Sequence, residues 1–411
     1  MSSIALVDCN NFFVSCERLF NPKLHKIPVV VLSNNDGCII ARSEEAKALG
    51  IPMGAPLFEW RELIERKGVH TTSSNFALYG DLSNRVMCTL ASCTPQLEIY
   101  SIDEAFLTLG KTPYEEGVEI RKRIGQWVGI PVSVGIAPTK TLAKLANYYA
   151  KKYPKLQGVF APTQEEWKKI LEMSPVGEVW GIGRRLATKL AKEGVYTCAE
   201  LCAKSDSWIR RRLSVLGVRT VWELRGTPAI DFMEGEVSKQ SIMSSRSFGH
   251  PVHALSHLEE SVATHAARAS EKMRAQKSQA RGLMIYLRSK ERLGETAFVR
   301  LPVATDYGPK LIAAAKKLVH TLYNKELTYK KAGVLLSGLT PKESFQFDLF
   351  HTPVSEKCDR FQQAIDTLNE RYGKETAFFA AQGTQRSWRT KRNLCSQGFT
   401  TKWDELLTIQ I

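Results

Sequence analysis

The stretch YSIDEAFLTL, residues 100–109, sets Asp103 and Glu104 side by side inside an otherwise apolar run. Tyr100, Ile102, Ala105, Phe106, Leu107 and Leu109 give it the pattern of a core strand over 99–109. A carboxylate buried without a partner costs several kcal/mol or gives up its charge, so two of them here need a reason. A third acid supplies one: Asp8 ends the apolar run of IALVDCNNFF, residues 4–13, which begins as a strand. Three carboxylates on neighbouring strands can converge, provided that cations neutralise them. Hard oxygen ligands select Mg2+, or Mn2+, over zinc. Two such ions about 3.5–4 Å apart are the machinery of in-line phosphoryl transfer. Side chains alternate along a strand, so Asp103 and Glu104 reach one point only if the strand bends or bulges, or if one acid lies at its exit. The plain alternative leaves Glu104 on the surface.

The chain around this stretch has 411 residues, room for roughly two to four domains. Its formal net charge of +15 points to a polyanionic partner, nucleic acid before membrane, with an inert basic surface as the plain alternative. No run approaches the roughly 20 apolar residues of a membrane span. The start, MSSIALVD, lacks a basic segment and does not read as a signal peptide. Nine cysteines form no regular framework; Cys198 and Cys202 lack a second pair or a nearby histidine to complete a zinc set. They read as reduced, mostly buried thiols of a cytoplasmic protein. His250, His253 and His257 fall where a loop enters a helix and read as surface residues.

Periodicity divides the chain into blocks. Residues 1–165 mix strands (27–34, 37–43, 99–109, 131–137) with helices (44–50, 76–93, 139–152), an α+β pattern. Residues 166–235 read as wholly helical and basic. Within them VWGIGRRLATKLAKEGV, 179–195, sets Gly181 and Gly183 before a helix carrying Arg184, Arg185, Lys189 and Lys192. Glycines let backbone approach a phosphate, and the following helix start offers N–H donors. The block from 240 to 340 has the order β-α-β-β-α-β, a four-stranded sheet with two helices on one face. Residues 341–411 are less regular.

Four stretches, VDCNNFFVSCERLFNPKL (7–24), IARSEEAKALGIPMG (40–54), YSIDEAF (100–106) and VGIAPTKTLAKLANYYAKK (134–152), resemble in order the palm and fingers motifs of Y-family DNA polymerases. LSNNDGCIIARS (32–43) resembles the UmuC branch, the catalytic subunit of DNA polymerase V. The resemblance implies an α+β multidomain right hand: palm at 1–22 and 79–165, fingers at 23–78, a helical thumb with a helix-hairpin-helix at 166–236, a linker at 237–243, a little finger at 244–345, and a clamp-binding and partner-binding region at 346–411. It makes Asp8, Asp103 and Glu104 the metal ligands, with the backbone carbonyl of Cys9 as a further one. The family's first motif often reads Asp-x-Asp; Asn10 stands at the second of those positions here. Phe13 matches the steric gate beneath the sugar of the incoming nucleotide, and Phe12 beside it is expected in the core, the two facing opposite ways at a strand exit. Lys47 and Lys151 match the cations that hold the triphosphate; Cys38 and Ile40 match the roof of the nascent base pair. Gly181, Gly183, Arg184, Arg185 and Lys189 would hold DNA backbone without reading sequence. Arg281, Arg288, Lys290, Arg292 and Arg300 are candidates for a template groove, or a solvated face.

Beyond the last expected strand, Gln346, Leu349 and Phe350 in QFDLF resemble the peptide that docks on the bacterial sliding clamp. The tail alternates basic residues with Trp388, Phe399 and Trp403, a pattern suited to nucleic acid; by resemblance it would instead dock a processed UmuD-type subunit or RecA. The expected activity is error-prone translesion DNA synthesis in the SOS response, using primer-template DNA, dNTP and two Mg2+ ions, with no membrane partner. A catalytically silent DNA- and clamp-binding scaffold is the rival reading. A palm-fold nucleotidyl cyclase leaves the hairpin, the β-α-β-β-α-β block and the clamp peptide without a purpose.

Overall fold

The computed structural model describes residues 3–233, 238–343 and 355–406. In chain order, β1 (Ser3–Cys9) leads into α1 (Phe12–Phe20), then β2 (Val29–Leu32), β3 (Ile39–Arg42), α2 (Glu44–Ala48), α3 (Leu57–Arg66), β4 (His70–Ser73) and α4 (Phe76–Ala91). Next come β5 (Leu97–Ile99), β6 (Glu104–Leu109), α5 (Pro113–Trp127), β7 (Val132–Ala137), α6 (Lys140–Lys152) and β8 (Val159–Phe160). Four helices follow: α7 (Gln164–Met173), α8 (Arg184–Ala191), α9 (Cys198–Cys202) and α10 (Asp206–Leu224), the last broken at Ser214. The remaining elements are β9 (Ser241–Val252), α11 (Leu255–Ala275), β10 (Ser278–Ser289), β11 (Glu295–Thr305), α12 (Gly308–Leu322), β12 (Tyr329–Pro341) and α13 (Glu356–Tyr372). The chain divides into two compact units. One takes Met1–Leu32, Ile39–Gly235 and Leu394–Ile411; the other takes Ser33–Cys38 and Glu236–Asn393.

The first unit is built on a five-stranded sheet, ordered β5-β6-β1-β7-β8. Its central strand β1 is antiparallel to both β6 and β7. Ala5, Val7 and Cys9 pack into one core with Leu82 and Val86 of α4 and Ile120 of α5, whereas Leu6 joins Phe106 in a second core with Leu142 and Ala146 of α6. Burial on both faces explains why β1 reads as an unbroken apolar run rather than an alternating one. Helix α6 lies hard against β7: a Cβ at Gly135 would collide with backbone N of Asn147 and O of Ala143. The Asn147 amide then ties the helix to the sheet by donating to the carbonyls of Leu6 (3.1 Å) and Ser133 (2.8 Å). A smaller sheet, β3-β2-β4, has β2 antiparallel to β3 and parallel to β4.

Two expectations need correction. The apolar run at 99–109 is not one strand. It is the pair β5–β6, turned at residues 100–103, where the N–H groups of Tyr100 and Ser101 both donate to the carbonyl of Glu104. Ile99, at 58% exposure, and Ile102, at 37%, are turn-side residues and not core. Residues 166–235 are not wholly helical either: beyond Leu224 the described chain, to 233, runs without a helix. Buried acids hold it there. Glu223 accepts from the N–H groups of Ala229 and Ile230, and also caps α6 through Thr141 N–H at 2.9 Å. Glu98 accepts from Met233 N–H and from the fully buried Lys140, whose Nζ also meets the Asp231 carbonyl.

The second unit carries a four-stranded sheet, β11-β10-β12-β9, with all three pairings antiparallel. Helices α11 and α12 cover it, so the β-α-β-β-α-β order is as the periodicity predicts. The cysteines form no disulfide among the described residues. Among the described residues no helix is long and apolar enough to cross a membrane. Within α11, His265 is fully buried; its Nδ1 lies 3.0 Å from Ser244 Oγ, and its Nε2 meets no hydrogen-bond partner among the described residues. Burial, helped by Arg268, Arg246 and Lys331, pushes its pKa down to about 3 from 6.5. The unfolded chain therefore binds a proton below pH 6.5 that the folded unit refuses until near pH 3. Stability is full above that window and falls as pH drops through it, by about 1.4 kcal/mol per pH unit. Urea unfolding followed by the fluorescence of Trp388, whose ring lies 6.4 Å from His265, should give a lower midpoint at pH 5 than at pH 7.5, with the dependence flattened in His265→Asn.

Candidate active site

The register of β1 on β6 places Asp8 directly opposite Glu104, and the next residues, Cys9 and Asp103, are joined by a backbone hydrogen bond of 2.8 Å. Glu104 begins β6, while Asp103 lies in the turn before it. That answers the alternation problem: one acid is at the exit, so the two need not point apart. Ser101 fixes the turn. Its hydroxyl donates to Asp103 Oδ1 (2.5 Å) and accepts from the N–H groups of Asp103 and Glu104.

Helix α6 lays a polar stripe over these acids. Lys140, Lys144, Asn147 and Lys151 recur at helical spacing on one face. Lys144 Nζ is 2.7 Å from Glu104 Oε2, and Lys151 Nζ is 2.5 Å from Asp8 Oδ1. Burial drives the Asp8 carboxyl up to about 7; Lys151 opposes the rise and the neighbouring Glu104 adds to it. Burial and the nearby carboxylates also push the Cys9 thiol up, so it stays protonated and offers a site only its backbone carbonyl. Lys144 is itself caged, its Nζ 4.5 Å from the Tyr100 ring centre and 5.5 Å from that of Trp180, whose indole N–H donates to the Tyr100 hydroxyl at 3.1 Å. Each of the three acids has a lysine or serine partner within the fold.

A cleft of about 280 Å3 opens beside the acids, lined by Asp8, Cys9, Phe12, Phe13, Ile40, Lys47, Asp103 and Lys151. A second, of about 520 Å3, shares Asn11, Lys47 and Lys151 with it and adds Arg121 and Lys152. Phe12 and Phe13 are not at a strand exit. They open helix α1 after Asn11, which takes the left-handed φ of 46° and is bridged by its amide to Glu44 and Lys47. Phe12 is buried, as expected, and Phe13 is half-buried, stacked on Tyr79 at 4.6 Å and 15°. Cys38 lies in the short segment assigned to the other unit and does not line the cleft. Gly181, with φ 86°, turns the chain toward α8; Gly183 caps that helix, and Arg184, Arg185 and Lys189 project as exposed cations. Gln346, Leu349 and Phe350 lie outside the described residues.

The donor set fits a hard divalent cation. Asp8, Asp103, Glu104 and the Cys9 carbonyl are all oxygen ligands, and a carboxyl held near 7 by burial gains by acquiring positive charge. Among the described residues, however, no three acidic, histidine or cysteine side chains stand grouped to hold a metal ion; the ammonium groups of Lys151 and Lys144 occupy the acids instead. Lys140 and Lys144 escaped the sequence reading, although their spacing from Lys151 was visible.

Residues 7–148 match the impB/mucB/samB family, 239–349 that family's C-terminal domain, and 359–409 a domain of unknown function, DUF4113. Protein UmuC of Salmonella typhimurium, strain LT2, is 40% identical over 99% of this chain and 100% of its own. This chain belongs to the impB/mucB/samB family. Protein ImpB of Salmonella typhimurium is 41% identical over 98% of both chains, and DNA polymerase IV of Moorella thermoacetica is 31% identical over 90% of this chain and 94% of its own. Among solved structures, the Y-family DNA polymerase chimera Dbh-Dpo4(243-245)-Dbh superposes with a TM-score of 0.67 over 82% of this chain and 99% of its own, at 21% identity. The fold is thus the multidomain α+β fold of that family, in its UmuC-like form. Divalent-metal dependence is a property of the family.

Replacing Lys144 by alanine leaves Glu104 without its counter-charge and empties the Tyr100–Trp180 cage. Chemical denaturation should show a loss of about 1–2 kcal/mol, and Trp180 emission should shift to the red.

Proposed function

We infer that this chain is an error-prone, translesion DNA-directed DNA polymerase of SOS mutagenesis, which extends a primer 3′-OH on primer-template DNA with dNTP. Family membership supports the activity. The observation that carries its assignment to this site is the cleft, which gathers Asp8, Asp103, Phe13, Ile40, Lys47 and Lys151 from separate elements.

In this reading Asp8, Asp103, Glu104 and the Cys9 carbonyl hold two Mg2+ ions, for which Mn2+ can substitute. Such ions activate the attacking oxygen and steady the leaving one. The rest is the work of the chain's own residues. Lys151 reaches both clefts and keeps 35% of its side chain exposed, so it can pass from Asp8 to a phosphate oxygen at small desolvation cost. Lys47, held by Asn11 and Glu44, presents a second point charge to the triphosphate. Phe13 packs its ring against C2′ of the sugar and leaves no space for a hydroxyl, while Phe12 anchors the turn beneath it. Ile40, on the wall of the cleft, supplies a loose roof over the base pair. Gly181, Gly183, Arg184, Arg185 and Lys189 grip DNA phosphates, giving affinity that falls with salt and carries no sequence preference. Gln346, Leu349 and Phe350 dock on the bacterial sliding clamp, and the C-terminal region receives a processed UmuD-type subunit and RecA, in the cytoplasm.

Primer extension tests the reading. Asp8→Asn and Asp103→Asn should each lower nucleotide addition by roughly a thousandfold, the scale of several kcal/mol of transition-state stabilisation, while gel-shift affinity for primer-template persists. Synthesis at the parental rate in a clean preparation would return the protein to the scaffold reading. Phe13→Ala should raise ribonucleotide use relative to deoxyribonucleotide, measured as the ratio of kcat/KM values; an unmoved ratio reassigns the gate.

A further inference from the structure

The first unit ends in a segment that folds back onto its own beginning. Leu394 meets the free edge of β4: Ser73 N–H donates to the Leu394 carbonyl at 2.9 Å, Thr72 Oγ1 donates to the same oxygen at 3.0 Å, and Leu394 N–H donates to Ser73 Oγ at 3.0 Å. Ser73 and Cys395 pair as a parallel bridge. A short strand is thereby added to the β3-β2-β4 sheet at its edge. Asn75, which caps α4 by accepting from Leu78 N–H, turns its amide outward and donates to Ser396 Oγ (3.0 Å) and to the Gln397 carbonyl (3.1 Å). Five residues after Leu394, the Phe399 ring stacks on Phe20 at the end of α1, 4.8 Å apart and 10° from parallel.

Between these anchors the segment touches a buried relay. Ser396 Oγ donates to Glu17 Oε1 at 3.2 Å, and the same oxygen accepts from the Tyr79 hydroxyl at 2.5 Å. Glu17 and Tyr79 are buried, and Tyr79 lies flat beneath Phe13. Phe13 and Glu17 are four residues apart on α1, so they share a helix face. A single carboxylate thus joins the tail, through one hydroxyl each, to the ring that supports Phe13. Burial holds the Glu17 carboxyl above its ordinary range, and the hydrogen bonds from Tyr79 and Ser396 counter that rise; taking Ser396 away removes one of two donors from a desolvated acid.

We propose that residues 394–399 are a built-in strap that stiffens the Phe13–Tyr79 stack, with Ser396, Glu17 and Tyr79 as positioning residues for sugar discrimination. This rests on Phe13 being the gate. It assigns a role to part of the region that matches a domain of unknown function. A steric gate rejects a hydroxyl by as much energy as its support can resist. If the ring can slide or tilt by a few tenths of an ångström, the clash is relieved and discrimination falls, while a deoxyribose, which never touched the limit, is handled almost as before.

The test uses the full-length protein and reads the ratio of ribonucleotide to deoxyribonucleotide kcat/KM in single-nucleotide insertion. Ser396→Ala and the double variant Ser396→Ala/Phe399→Ala should raise the ratio, the double by about tenfold, the scale of one lost hydrogen bond to a charged group. Ser396→Thr, which keeps the donor, should restore the parental ratio. A strap that merely stabilises the fold would depress both nucleotides together and leave the ratio where it was; that result overturns the proposal. Phe13→Ala is run alongside. If it raises the ratio and the Ser396 variants do not, the strap falls and the gate stands; if Phe13→Ala does not raise it, gate and strap fall together.

Discussion

One helix face governs the first unit. Lys140, Lys144, Asn147 and Lys151 rise along α6 and address, in turn, Glu98 of β5, Glu104 of β6, the carbonyls of Leu6 and Ser133 on β1 and β7, and Asp8 of β1. Neighbouring strands are about 4.8 Å apart and a helix advances about 1.5 Å per residue, so polar residues one turn apart reach β5, then β6, then β1 and β7, before Lys151 returns to β1. The arrangement depends on contact as close as Gly135 permits. It allows acids to stand inside an apolar layer: Glu98, Glu104 and Asp8 each have a cation delivered by the same rigid element, and moving the helix would strand all three together.

This constraint bears differently on each pair. Lys140 and Glu98 are buried almost completely. Removing one member of such a pair would leave an uncompensated charge, whereas a well-packed apolar pair of similar volume is often as stable. The merit of the ion pair lies in where it fixes the chain, since the same two groups also hold the backbone at Asp231 and Met233. At the other end, Lys151 and Asp8 are partly open to the cleft. There burial outweighs the pairing with Lys151 and leaves the Asp8 carboxyl well above its ordinary range, at about 7. A carboxylate that one ammonium leaves under-compensated gains from further positive charge, whereas the Lys140–Glu98 pair is closed from solvent.

What was legible in the sequence follows from the range of the interactions. Asp103 and Glu104 stand out because charge in an apolar run is costly wherever the run folds, and the order of elements in the second unit follows from local periodicity. The turn at 100–103 was not legible, because Ile99, Tyr100 and Ile102 are apolar yet exposed, and hydropathy alone counts them as core. Phe12 and Phe13 fit a strand exit as well as a helix start; two adjacent rings carry no period. The extended run after Leu224 is held by Glu223 and Glu98, partners of the tertiary fold rather than of local sequence. Lys144 and Lys140 were within reach, since their spacing to Lys151 marks one helix face, but a lysine on a helix is ordinarily a solvated residue, and only the facing acids say otherwise.

The tail was the least legible part for the same reason. Its partners lie more than three hundred residues away, and neither its composition nor its pattern names them. Yet its position is informative once seen. The first turn of α1 begins at a left-handed asparagine, a conformation that surrounding structure must enforce, and it carries the ring proposed to judge the sugar. Phe13 packs against Phe12 and edge-on against Phe76, while its other side faces the cleft. Flat support comes from behind, through Tyr79, Glu17 and Ser396, each step a single packed contact or hydrogen bond in a buried setting where such bonds are stiff and costly to break. An enzyme that must accept distorted template bases can afford a loose roof, but it has no such freedom on the sugar side, because a ribose differs from a deoxyribose by one oxygen. Rigid backing beneath an open cleft reconciles the two demands.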